Sequence, residues 1–338
     1  MLDAITAIRQ NVQRAPNNTG SERKIVAILL LCFACFALHS TGAHASPAGG
    51  GPSTVVTGLS YPFSIAVDAN GNLYIGDLGC INFVGAQGDC NVYKETLSNG
   101  SYTQSVIASF SASNAPQGIA VDSSGNVFIT VLGNGVVQET PSGGGKYTQT
   151  TIGCAFDVPG GVAVDGQGTL YVTNRTGSRI NSEKPADTCS TLGLVASGLS
   201  APTGLAVDSS SSIYVIQSGA PGTVLKEILS GNGYNATTVA GGGNFNGLAV
   251  DTKKNLFLTA GDGSVYEYSP PNINGVNYSY IALAIGFAVP SGVAADANGN
   301  IYVVNTGFNQ VVKIPVAPIN AQHRRKPFVI PKPATTKH

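Results

Sequence analysis

Residues 61–77 read YPFSIAVDANGNLYIGD, and the chain returns to that text five more times. The further copies are APQGIAVDSSGNVFITV at 115–131, VPGGVAVDGQGTLYVTN at 158–174, APTGLAVDSSSSIYVIQ at 201–217, NFNGLAVDTKKNLFLTA at 244–260 and VPSGVAADANGNIYVVN at 289–305. Asp68, Asp122, Asp165, Asp208, Asp251 and Asp296 anchor the copies, at spacings of 54, 43, 43, 43 and 45 residues. A period in this range marks a repeat architecture in which each unit buries its apolar face against the next.

Each copy parses into strands. The apolar run before the aspartate is one strand. D-x-x-G-N is a tight turn, where Asp bonds its own backbone and Gly or Asn tolerates positive φ. The β-branched and aromatic run after it is a second strand. A third follows (VYKET from 92, VVQET from 136, VLKEI from 224, VYEYS from 265, VVKIP from 311), then a Gly/Asn-rich turn and a fourth such as SVIAS at 105–109. The fold class expected is therefore all-β: a six-bladed β-propeller of four-stranded antiparallel blades. The sixth copy runs out of clear strand near Ile314, while STVVTG at 53–58 precedes the first copy as an orphan strand. The expectation is that this N-terminal strand closes the last blade.

The unit P-x-G-[ILV]-A-V-D-x-x-G-N-[LIV]-[YF]-[VI] resembles the NHL repeat. Over about 52–318 the chain resembles secreted bacterial NHL-repeat propellers and, more distantly, the senescence-marker/gluconolactonase-like propellers. The resemblance implies a fold that hosts ligand binders, scaffolds, lyases and lactonases, so function has to be argued from the site.

Working outward, residues 25–38 (IVAILLLCFACFAL) form an apolar run preceded by Arg23 and Lys24 and followed by Ala43-His44-Ala45. That is the pattern of a secretory signal peptide, and the run is shorter than the roughly 20 residues a membrane span needs. The expected layout is signal peptide 1–45, linker 46–52, propeller 53–318 and a basic, flexible tail 319–338. The expected location is secreted or periplasmic, with no membrane span after cleavage. Four cysteines remain beyond the signal, and an even count in an exported chain suggests two disulfides; three pairings are open, of which Cys80–Cys90, a short loop closure, with Cys154–Cys189 is favoured.

The 338 residues carry 18 basic and 18 acidic side chains, but unevenly: residues 52–318 sum to −7 and residues 319–338 to +5. An acidic body offers no footprint for nucleic acid. The six aspartates are explained as turn caps. Glu95, Glu139, Glu183 and Glu227 recur every 44 residues on or just past the third strand. They are expected to be solvated or inter-blade, and too far apart for paired-carboxylate chemistry.

Strand direction puts the start of the first strand, the end of the second and the following loop on one face. There each blade offers two positions 14 residues apart that vary between copies. The candidate ligand-binding rim is Phe63, Asp77, Gln117, Asn174, Thr203, Gln217, Asn246, Ser291 and Asn305. Loop candidates on that face are Phe83, in the long segment between Cys80 and Cys90, and Arg175 and Arg179, which could clamp an anion.

All four histidines (His39, His44, His323 and His338) lie outside the propeller, which removes His-based acid–base and zinc chemistry from it. No catalytic residue, metal site or resident cofactor is therefore expected. The gluconolactonase-like resemblance implies a channel-bound Ca²⁺ or other divalent cation, for which the rim supplies Asn174, Asn246, Asn305 and only Asp77 as a carboxylate. The leading expectation is a monomeric, non-enzymatic binding scaffold for a protein, glycan or cell-envelope ligand. The alternative is a divalent-cation-dependent lactonase.

Overall fold

The computed structural model describes residues 51–80, 90–133, 135–152, 156, 158–185, 192–219, 221–231, 233–271, 278–315 and 328–330. They form six antiparallel blades, each with strands a to d from the axis outward. Strand a is Pro62–Val67, Pro116–Val121, Pro159–Val164, Pro202–Val207, Phe245–Val250 and Pro290–Ala295 in blades 1 to 6. Strand b is Leu73–Asp77, Val127–Val131, Leu170–Asn174, Ile213–Gln217, Leu256–Ala260 and Asn300–Asn305. Each strand a packs beside the next around a closed ring.

The predicted closure holds. Ser53–Val56 pairs antiparallel with Gln310–Pro315 and supplies strand d of blade 6, with Ser53 opposite Lys313 and Val56 opposite Val311. The two ends of the propeller share one sheet.

The turn aspartates do what their pattern demands. In every blade Oδ1 accepts the backbone N–H groups two and four residues on, as from Asn70 and Asn72 to Asp68, both at 2.9 Å. The fourth turn residue has positive φ. It is Gly71, Gly125, Gly168 and Gly299 in four blades, but Ser211 (φ 56°) and Lys254 (φ 66°) in blades 4 and 5.

The core is distributed between blades. Six clusters of buried side chains each join two neighbours, as where Tyr214, Ile216 and Val224 of blade 4 meet Phe245, Leu248 and Leu258 of blade 5. Hydroxyls add inter-blade bonds: Thr173 Oγ1 donates to Thr203 O at 2.9 Å, and Thr306 Oγ1 to Pro62 O at 2.8 Å. The four recurrent glutamates are buried, which corrects the solvated alternative. Burial raises Glu95 and Glu139, although Gln104 and Gln149 donate to them, and it raises Glu227 as well.

The basic tail is anchored at one place where a free end was expected. Phe328–Val329 adds as a fifth, parallel strand outside Ser279–Ile285 of blade 5. Ile330 donates its N–H to Ile285 O at 2.9 Å and buries its side chain between blades 5 and 6. Gly286 (φ 92°) permits that approach, because a β-carbon there would stand 3.3 Å from Ile330 O. Cys80 and Cys90 form a disulfide with a Cα–Cα distance of 4.7 Å. The signal segment, the 81–89 loop and the pair Cys154 and Cys189 lie outside the described residues.

Candidate functional site

At the end of the ring where strands a begin, the blades surround a cavity of about 330 Å³. Its shape comes from a repeated irregularity. Pro62 pairs with Asp77 while Ser64 pairs with Gly76, which leaves Phe63 as an extra residue in strand a. Gln117 and Asn246 stand in the same bulge, and blades 3, 4 and 6 slip register at the same place. A bulge re-aims the side chain it carries, here toward the axis.

Five of the nine rim candidates line this cavity: Phe63, Gln117, Thr203, Asn246 and Ser291. The other four, Asp77, Asn174, Gln217 and Asn305, end strand b and are turned to structural work. Asp77 accepts the N–H of Ser60 at 2.7 Å, of Tyr61 at 2.6 Å and of Gly79 at 3.1 Å. Gln217 and Asn305 repeat the first of these bonds, accepting from Ser200 at 2.8 Å and Ala288 at 2.9 Å. Asn174 accepts from Gly177 at 3.1 Å. These side chains tie down the loops at the mouth.

The residue one step further along lines the cavity instead: Arg175 in blade 3, Ser218 in blade 4 and Thr306 in blade 6. Successive residues alternate faces, so a one-residue step exchanges a loop anchor for a lining side chain. Arg175 is one of the loop candidates of the sequence; Ser218 and Thr306 stand at the equivalent position, whose variation between copies is the signal for them. Arg179 lies on the third strand of blade 3 and does not line the cavity. Phe83 falls outside the described residues.

Chemically the mouth is uncharged with one exception, and it mixes polar with apolar groups. Gln117, Thr203, Ser218 and Asn246 present amides and hydroxyls, and Thr203 Oγ1 and Ser218 Oγ stand 3.1 Å apart. Asn246 Nδ2 donates to Pro290 O at 2.9 Å. Phe63 and Val289 are exposed apolar groups on the blade 1 and blade 6 side. Val289 has φ 52°, an outlier for a β-branched residue. Among the described lining residues Arg175 is the single charged one. The six turn aspartates lie at the far end of strands a, about 17 Å away at 3.3 Å per residue.

The architecture is shared with solved propellers. A gluconolactonase of Xanthomonas campestris matches at TM-score 0.60 with 16% identity, covering 78% of this chain and 89% of that one. A virginiamycin B lyase from Staphylococcus aureus matches at TM-score 0.54 and 14% identity, over 79% and 98%. A chain of a nidogen/laminin complex matches at TM-score 0.57 and 18% identity, over 67% and 86%. At these identities the likeness is one of fold. No protein-family model matches the sequence, and neither does any curated protein.

The donors at the mouth do not fit a divalent cation. Ca²⁺ takes six to eight oxygens, its affinity rising with the charge of the ligands, and Mg²⁺ is bound through one or two carboxylates. Here Asp77 is buried under backbone N–H groups, and the Asn174 and Asn305 amide oxygens are likewise engaged. Among the described residues no three of His, Cys, Asp and Glu are grouped around a common point.

Proposed function

We propose that this chain is an exported binding propeller that takes its ligand at the mouth of the ring without hydrolysing it. The observation that carries the reading is the division of labour between adjacent residues. The one rim carboxylate, Asp77, is committed to three backbone N–H groups, while the residues that line the cavity are hydrogen-bonding and apolar. Hydroxyls and amides on a rigid frame suit recognition of a polar, hydroxyl-rich ligand, with Phe63 as a stacking face. Export is inferred from the apolar segment at 25–38 and fits the Cys80–Cys90 disulfide. Among the described residues no helix is long and apolar enough to cross a membrane.

The lactonase alternative draws on the fold likeness to the gluconolactonase and needs a cation site that the mouth does not offer. The test is calorimetric titration with soluble glycans, with and without Ca²⁺ or Mn²⁺, beside a lactone-hydrolysis assay. The expected result is cation-independent binding weakened by Phe63→Ala and Thr203→Ala, without turnover. Cation-dependent hydrolysis lost on Asn246→Ala would overturn it.

A further inference from the structure

We propose that the mouth is specific for an acidic sugar, a hexuronate residue, whose carboxylate is held by Arg175 and whose ring lies toward Phe63. The proposal rests on the reading of the mouth as a binding site and names its ligand class. Three features of this chain point to it.

The first is how Arg175 reaches the cavity. Blade 3 carries Gly160 at the bulge where other blades carry Phe63, Gln117, Thr203, Asn246 or Ser291. The Arg175 side chain lies over that gap, its Cδ 3.5 Å from where a β-carbon on Gly160 would be. No ion pair to Arg175 occurs among the described residues. Among the described residues no side-chain hydrogen bond of Arg175 is found either, and a guanidinium matches the planar fork of a carboxylate.

The second is polarity across the mouth. Arg175 and the Thr203–Ser218 hydroxyl pair belong to blades 3 and 4. Phe63 and Val289 belong to blades 1 and 6, which stand opposite in a ring of six. One side therefore offers a cation and exposed hydroxyls, while the other carries the exposed apolar groups, beside a buried hydroxyl pair, Ser291 and Thr306, bonded to each other at 2.7 Å. A hexuronate has the matching asymmetry: a carboxylate at one end, hydroxyls around the ring, and an apolar C–H face for an aromatic side chain. The cavity volume of about 330 Å³ lies near the low end for small-molecule sites and suits one or two sugar rings.

The third is the placement of the acids. The propeller body carries −7 overall, which opposes an anion at long range. Its six turn aspartates are at the far end of strands a, beyond the Debye length of about 8 Å at physiological salt. Among the described residues that line the cavity Arg175 is the one charge, and the rim carboxylate Asp77 is turned to the N–H groups of Ser60, Tyr61 and Gly79.

The test is isothermal calorimetry on the purified protein with four probes: sodium galacturonate, galactose, the galacturonate methyl ester and a short oligogalacturonate. Galacturonate is expected to bind about tenfold more tightly than galactose or the ester, a preference that shrinks as salt rises. Arg175→Gln is expected to abolish that preference, so that galacturonate and galactose bind alike, and Arg175→Lys to restore part of it. Phe63→Ala should weaken all four probes. Tighter binding of the oligomer than of the monomer assigns the ligand to a polysaccharide; equal binding assigns it to a free sugar acid. Equal affinity for acid and neutral sugar, untouched by Arg175→Gln but lost on Phe63→Ala, overturns the acidic-sugar proposal and leaves the mouth as a binding site. Binding of any probe that is indifferent to Phe63→Ala, Thr203→Ala and Arg175→Gln overturns both, as does failure of all four to bind.

Discussion

Arg175 lies across Gly160, with its Cδ 3.5 Å from the point a β-carbon on that glycine would occupy. The same point is 2.8 Å from Thr173 Oγ1, which bonds blade 3 to Thr203 O of blade 4. One missing side chain thus makes room both for the charge at the mouth and for a bond between blades. Gly160→Ala is expected to cost about 1–3 kcal/mol by crowding Thr173, read as a lower denaturant midpoint. It should also weaken any ligand that depends on Arg175.

Asp77 is a loop anchor, and its removal should register as lost stability. Asp77→Ala leaves the N–H groups of Ser60, Tyr61 and Gly79 without their acceptor. Bonds to a charged acceptor contribute about 1.5–3 kcal/mol, and abandoned buried donors add to the loss. A fall of about 2–4 kcal/mol in urea unfolding is expected, with Asp77→Asn milder because it keeps one acceptor oxygen.

Ser211 has φ 56° at the turn position where four other blades have glycine. Left-handed backbone costs a non-glycine residue about 1–2 kcal/mol, part of which glycine gives back as chain entropy. Ser211→Gly is expected to stabilise the protein by about 0.5–1 kcal/mol. Thermal unfolding beside the wild type checks the sign.

Burial raises Glu95 above its ordinary value of 4.5. The folded chain then holds this proton more tightly than the unfolded chain does. The stability contributed by protonated Glu95 is full below pH 4.5 and is lost as pH rises through the folded-state value. Glu95→Gln should remove that loss, raising the melting temperature at pH 7 more than at pH 4. A larger rise at pH 4 would reverse the assignment.

Ser53–Val56 closes the ring, so Val56→Asp places a charge among the buried residues between blades 6 and 1. A buried unpaired charge costs several kcal/mol. The variant is expected to lose protection from hydrogen exchange first along Gln310–Pro315, the strand left as an open edge.

Much of the fold was legible because it is written locally and repeated. The turn at Asp68 needs only the residues from 68 to 74, and six copies make the same statement. The closing strand was legible because one blade lacked a strand and one strand lacked a blade. Asp77 marks the limit: by position it belongs to the rim, yet its carboxylate turns to the N–H groups of Ser60, Tyr61 and Gly79, and the one-residue bulge in strand a brings Phe63 to the cavity. Period-two alternation predicts faces only while register is kept, and the slip in strand a is not marked in its residue types.

By itself the sequence determined the blade, its turn chemistry, the count of six and the closure of the ring. These follow from short-range hydrogen bonding and from the need to leave no strand edge unpaired. Only the tertiary structure decided which side chains meet at the mouth, that Arg175 enters it over Gly160, and that Ile330 anchors the tail between blades 5 and 6. Those outcomes depend on bulges and on residues brought together across the ring from distant parts of the chain.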